Sequence, residues 1–165
     1  MSERRKDSGI TLVGAGLAGS LLSTYLARRG HQVTIFEKRP DLRKVKVSAG
    51  RSINLALAKR GIEALKQVGV MPAVEPLLIP MSGRMLHDEN GQLQFLPYGN
   101  KPEEVIYSVS RGGLNGVLMD AAEATGLVTI RFEQTCRRVD LEKKELEIVA
   151  AGRKRPRAFP FEHVI

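Results

Sequence analysis

The chain has 165 residues, 42% of them hydrophobic, which suits a single domain with a real core. It has no apolar run of roughly 18 residues or more, the length a membrane span needs, and its one cysteine, Cys136, excludes an internal disulfide framework. The formal net charge of +8 invites a nucleic-acid reading, but the basic residues are scattered and aromatics make up only 5%, so platforms for stacking bases are missing and no nucleic-acid partner is expected.

The first seven residues are charged and run straight into an apolar strand, without the features of a signal peptide, so a cytoplasmic location is expected. Residues 10–13, Ile-Thr-Leu-Val, form a short β-rich run that ends in glycines. Residues 17–29 carry Leu17, Ala18, Leu21, Leu22, Tyr25 and Leu26 at helical spacing, with Gly30 as the stop. Residues 32–37 read as a second strand, which completes a β-α-β unit.

Residues 40–50 are polar and basic and predict a loop. A strand over 53–57 and a helix over 59–68 follow, and Pro72, Pro76 and Pro80 break up the next stretch. Apolar runs at 84–87 and 92–96 flank Asp88-Glu89-Asn90-Gly91, a strong hairpin signal. Then come a strand over 104–110, a helix over 111–125 and a strand over 128–132. The tail predicts antiparallel strands at 137–141, 145–150 and 158–164. His31, His87 and His163 lack metal-ligand spacing, so no metal is expected.

Gly14, Gly16 and Gly19 form Gly-x-Gly-x-x-Gly between the first strand and the first helix. In that position the first glycine permits a tight turn, the second lets backbone approach a pyrophosphate, and the third lets helix pack on strand. The helix N-terminus offers free N–H groups and its positive dipole end to phosphate. Glu37 closes the second strand 18 residues past Gly19, close to the spacing of about 20 expected for a ribose-binding acid. A carboxylate there accepts both ribose hydroxyls and repels a 2′-phosphate, which argues against NADP in this slot. The motif predicts a Rossmann-like α/β dinucleotide fold with added antiparallel β segments, and by itself leaves FAD and NAD open.

Beyond that turn, residues 36–41 (Phe-Glu-Lys-Arg-Pro-Asp) and 50–61 (Gly-Arg-Ser-Ile-Asn-Leu-Ala-Leu-Ala-Lys-Arg-Gly) resemble the kynurenine 3-monooxygenase family of FAD-dependent aromatic hydroxylases. Further matches are Gly83-Arg84-Met85, Pro97-Tyr98-Gly99, Ser108-Val109-Ser110-Arg111 and Leu114-Asn115, so the resemblance runs from about residue 8 to 164. It implies tightly but non-covalently bound FAD, NADPH as co-substrate, and hydroxylation of L-kynurenine with O2. The flavin rather than a catalytic side chain carries the oxygen chemistry.

The resemblance also assigns residues. Gly14, Gly16, Ala18 and Gly19 would hold the pyrophosphate, and Phe36, Glu37, Lys38 and Arg39 the adenosine side. Ala56 would lie near the flavin through its backbone, Arg111 would reach the FAD phosphates or ribityl chain, and Cys136 would contact the adenine side. Arg84 and Tyr98 match the substrate-carboxylate pair: an arginine fork with a neutral hydroxyl donor beside it. Read from the residues alone, Arg84 is a solvated strand residue and Tyr98 a rim aromatic. Arg51 would face either the flavin pyrophosphate or the substrate chamber.

Relative to that family the sequence stops before a Gly-Ala-Asp-Gly turn and a later Gly-Asp motif. The expectation is therefore a truncated chain: the N-terminal part of the FAD-binding domain, with residues 72–110 beginning the substrate region. An isolated piece of this kind is expected to leave sheet edges uncovered and to be unstable. Two alternatives stand beside the kynurenine reading: a non-catalytic nucleotide-binding module, and a hydroxylase of another aromatic acid.

Overall fold

The computed structural model describes residues 9–45, 54–101 and 103–165. In chain order it forms β1 (Ile10–Val13), α1 (Leu17–Ala27), β2 (Val33–Phe36), β3 (Asn54–Leu57), α2 (Lys59–Gln67) and α3 (Met71–Val74). A 3-10 turn (Glu75–Leu77), β4 (Ile79–Met81), β5 (Gly83–His87), β6 (Leu93–Pro97) and β7 (Ile106–Ser110) follow. The chain ends with α4 (Arg111–Glu123), β8 (Val128–Arg131), β9 (Gln134–Asp140), β10 (Glu145–Ala150), β11 (Arg157–Pro160) and β12 (His163–Val164). Among the described residues no helix is long and apolar enough to cross a membrane. The chain divides into two compact units, residues 1–50 with 115–165, and residues 51–114.

The first unit is built on a four-stranded parallel sheet in the order β12-β1-β2-β8. Parallel strands covered on both faces need near-continuous apolar sequence, and Leu12, Val33, Ile35 and Ile130 all sit in the core, with Met119 and Ala122 of α4 packed on them. Helix α1 departs from the sequence expectation. Its buried residues are Ser20, Ser23, Thr24 and Ala27, while the leucines of the predicted stripe are only half-buried. Small side chains let the helix lie close on β1, β2 and β8. Their hydroxyls donate within the helix: Ser23 Oγ to the Ser20 carbonyl at 2.8 Å and Thr24 Oγ1 to the same oxygen at 3.1 Å. No buried donor is left unpaired by the exchange.

The tail holds a second correction. Residues 158–164 read as one antiparallel strand, but β11 stops at Pro160, whose missing N–H faces away from the ladder. The Phe161 N–H adds one more bond in the same register, to the Lys144 carbonyl at 2.9 Å, before the chain leaves this sheet. Two residues later β12 lies parallel to β1, with Ile10 against His163 and Thr11 against Val164. Strands β11, β10 and β9 make an antiparallel sheet over Phe36, Leu146 and Ile148.

In the second unit β3, β7 and β4 form an antiparallel sheet, and β5 with β6 the expected hairpin. The hairpin turn is held by Asp88 Oδ1, which accepts from the N–H groups of Asn90 at 2.9 Å and Gln92 at 2.7 Å. The proline-rich stretch is more ordered than its sequence suggests. Pro72 and Pro76 open α3 and the 3-10 turn, where a missing N–H costs nothing. Pro80 sits on β4, an edge strand.

Candidate functional site

The three glycines of the turn do different work. Gly14 has φ +103°, a backbone conformation L side chains rarely adopt, and its N–H donates to the Phe36 carbonyl at 2.8 Å. Gly16 is the N-cap of α1, in extended conformation and without a side-chain cap. The first intrahelical bond there is Ser20 N–H to the Gly16 carbonyl at 2.9 Å, so the N–H groups before it have no acceptor within the helix. Gly19 lies against β1, where a Cβ would collide with the Gly14 carbonyl oxygen. Ala18 is exposed in the first turn of α1.

Three side chains fix the one residue between the first two glycines. Glu37 Oε2 accepts from the Ala15 N–H at 2.8 Å, while its Oε1 accepts from the Arg39 N–H at 2.9 Å. On the other side, Ser20 Oγ at 3.2 Å and Asn115 Nδ2 at 3.0 Å both donate to the Ala15 carbonyl. A carboxylate offers about four lone-pair directions. Two are spent on backbone, which leaves capacity for a ribose hydroxyl pair. Asn115 is 8% exposed, and its Oδ1 finds no partner among the described residues. Sequence reasoning placed Asn115 only in a family match. Nothing local signals a side chain that acts 100 residues away.

Glu37→Gln puts an amide N–H₂ where one backbone N–H now donates. A donor left facing a donor costs about 2 kcal/mol, or roughly a 30-fold loss. FAD affinity is expected to fall by about that factor, read by flavin fluorescence titration.

Backbone bonds tie the end of β2 to the β8–β9 turn. The Glu37 N–H donates to the Arg131 carbonyl at 2.9 Å, the Gln134 N–H to the Glu37 carbonyl at 2.8 Å, and the Glu133 N–H to the Arg39 carbonyl at 3.1 Å. Cys136 therefore follows closely on the strand end that carries Glu37. Burial pushes its thiol upward, against a smaller opposing effect from the Arg138 backbone, so it is a poor nucleophile at neutral pH. Lys38 and Arg39 are exposed. The Phe36 ring is 3% exposed and packs edge-on against Phe159, so its contribution at the turn is its carbonyl.

The remaining predicted residues belong to the second unit. Ala56 is exposed on β3 opposite Ser108. Arg111 is exposed at the start of α4, where Ser110 Oγ accepts from the Gly113 N–H at 3.3 Å as an N-cap. Arg84 stands opposite Leu96 in the β5–β6 hairpin, and the Tyr98 N–H extends that ladder to the Ser82 carbonyl at 2.9 Å. Strand alternation then puts Arg84 and Tyr98 on one face as diagonal neighbours. Both are exposed, and Arg84 has no ion pair among the described residues. Arg51 lies outside the described residues.

A glycine turn, an uncapped helix N-terminus and an acid at the end of β2 define a dinucleotide-binding protein of the α/β class. The chain belongs to the FAD binding domain family, whose pattern matches residues 7–156. Among curated relatives it is 53% identical over 148 residues to kynurenine 3-monooxygenase of Myxococcus xanthus (strain DK1622), covering 90% of this chain and 32% of that protein. It is 44% identical over 140 residues to kynurenine 3-monooxygenase of Anopheles gambiae, covering 85% and 29%. The chain thus spans about a third of the length of these relatives. Solved structures with the same fold include p-nitrophenol 4-monooxygenase PnpA from Pseudomonas putida DLL-E4, with TM-score 0.75 and 16% identity over 95% of this chain and 40% of that one. The flavin-dependent monooxygenase PieE, in complex with FAD and substrate, has TM-score 0.78 and 16% identity over 95% and 29%.

Proposed function

We propose that this chain is the adenosine-binding front of an FAD-dependent hydroxylase that converts L-kynurenine to its 3-hydroxy product with NADPH and O2. The observation that carries the reading is the Glu37 carboxylate held against the glycine turn by the Ala15 N–H at 2.8 Å. The names of the relatives support the substrate.

In this reading the first-turn N–H groups of α1 bind the FAD pyrophosphate, and Gly16 leaves room for it. Glu37 takes the ribose hydroxyls through its unspent lone pairs. Its negative charge disfavours a 2′-phosphate, so NADPH is received elsewhere. Bound FAD supplies the electron-transfer and oxygen-insertion chemistry. Residues 72–110 begin the substrate region, where Arg84 holds the substrate carboxylate by a bidentate fork and Tyr98 donates one neutral hydrogen bond. They orient the ring and do no chemistry.

The test is NADPH oxidation by the flavin-loaded protein with L-kynurenine, a phenol or a benzoate added in turn. Stimulation by L-kynurenine alone is expected, with Arg84→Ala raising its KM about 30-fold, since a charge-assisted pair contributes about 2 kcal/mol. Stimulation by the benzoate or phenol instead would transfer the protein to another aromatic substrate. FAD binding with no stimulation by any of the three would leave a nucleotide-binding module.

A further inference from the structure

The first unit contains a recess of about 490 Å³ that the reading above does not use. It lies where the ends of β2 and β8 meet the β10–β11 hairpin, and Arg131, Arg153, Arg155 and Arg157 line it over Phe36 and Phe159. Neither Glu37, Cys136 nor the glycine turn reaches it. Its volume falls within the roughly 300–1,000 Å³ of small-molecule sites.

A basic run such as 153–157 is ordinarily a solvated face. Two observations set this one apart. Arg131 comes from β8, in a different sheet, and converges on the same recess. None of the four arginines has an ion pair among the described residues, whereas Arg43 meets three carboxylates and Arg138 one. Gathering four unpaired cations around one hollow is electrostatically unfavourable, and an anion relieves it.

The floor adds a second chemistry. The Arg131 guanidinium lies 5.7 Å above the Phe36 ring and 5.4 Å above the Phe159 ring. Those rings meet edge-on at 4.8 Å, so the guanidinium rests on aromatic surface with no carboxylate on its N–H edge. Gln134, also on the wall, offers an amide that can donate and accept. Guanidinium forks suit phosphate oxygens, and a flat plane of Arg131 with aromatic rings suits a stacked base.

We propose that this recess is a second site, separate from the dinucleotide turn, and that it binds a nucleoside phosphate. The phosphates meet Arg153, Arg155 and Arg157, and the base lies on Arg131 and Phe159. The phosphates can come from a free nucleotide or from the NADPH of the proposed reaction, and only the second source rests on that proposal.

The experiment is calorimetric titration of the FAD-saturated protein with ADP, with NADPH and with inorganic pyrophosphate. Saturating FAD removes the glycine turn from competition. Binding of ADP or NADPH is expected, tighter than pyrophosphate because the base contributes. The Arg153→Ala/Arg155→Ala/Arg157→Ala variant is expected to weaken it at least tenfold while FAD affinity and Tm stay unchanged. Arg155→Glu, a single exposed change, reads the same loss if the triple variant folds poorly. ADP binding that NADPH fails to displace assigns the site to a free nucleotide, and displacement assigns it to the co-substrate. Either supports a site. Equal binding by wild type and both variants, or no binding by wild type, overturns it. If FAD does not bind, the dinucleotide reading fails on its own, and the same ADP titrations of the unloaded protein still decide this site.

Discussion

Gly19→Ala is expected to weaken FAD binding at least 100-fold and to lower thermal stability. The added Cβ meets the Gly14 carbonyl oxygen, and the carbonyl carbon stands 3.2 Å away. Both are backbone, so no flexible side chain can swing aside. Overpacking of this kind costs about 1–3 kcal/mol, while alanine regains about 1 kcal/mol of helix propensity over glycine. The clash wins, because Gly14 is pinned at φ +103° with its N–H on the Phe36 carbonyl. A net loss of up to about 2 kcal/mol is expected from a thermal melt. Gly16→Ala separates the fold from the ligand. Its Cβ would meet nothing within 4 Å, and its φ of −74° is ordinary. That variant is expected to melt like wild type and still bind FAD poorly, since the proposed pyrophosphate position lies in that space. Normal FAD binding by both variants would remove this turn from the cofactor site.

Arg43→Ala is expected to destabilise the first unit by about 2–3 kcal/mol, measured as a lower urea midpoint. Arg43 donates from Nε and Nη2 to the two oxygens of Asp41, both at 2.8 Å. Its Nη1 reaches Asp120 at 2.8 Å and Glu123 at 2.7 Å on α4, and its guanidinium lies 5.6 Å over the Phe132 ring. Breaking a fully buried pair costs about 3–5 kcal/mol. The value here is lower because Arg43 is 19% and Asp120 68% exposed. Lys44, 3.7 Å from Asp41, also remains as a weak partner. The loss stays large because Asp41 is 7% exposed and would keep its charge without the fork. Arg43→Lys cannot grip both oxygens of Asp41 and α4 together, so less than half the loss is expected back.

Acid supplies an independent check on the same cluster. The side-chain hydrogen bond from Arg43 holds the Asp41 carboxyl below its ordinary range, against an opposing effect of burial. A depressed folded-state pKa contributes stability that is complete above the unfolded value, about pH 4, and is lost as pH falls through the lower folded value. The gap between wild type and Arg43→Ala should therefore be constant near neutrality and narrow below about pH 4. A gap that stays constant into strong acid would remove the Asp41 charge from the explanation.

What the sequence made legible was local. Strand, glycine turn, helix, strand and acid all lie between Ile10 and Glu37, and each carries its own pattern. The hairpin around Asp88 to Gly91 was equally self-contained. The features missed all depend on distant partners. The most buried residues of α1 are Ser20, Ser23, Thr24 and Ala27, chosen for size, so hydrophobicity found only the flank of the inward face, Leu22 and Leu26. The two residues of β12 are too few for any periodicity, and only pairing with β1 makes them a strand. Arg43 looked like part of a basic loop because its acidic partners Asp120 and Glu123 lie on a helix far along the chain. Asn115 was hidden for the same reason.

That same distance has a consequence in time. The glycine turn leaves the ribosome well ahead of the donor that braces the Ala15 carbonyl, which sits at Asn115, 100 positions later. The strand carrying the turn gains its second neighbour only when His163 and Val164 arrive. At a synthesis rate of about 5–20 residues per second, the nascent turn waits on the order of 5–20 seconds for its brace. Cofactor loading therefore waits for Asn115 rather than for the turn itself. A flavin added to stalled nascent chains should be retained only once the exposed portion includes Asn115, and a chain arrested earlier should release it.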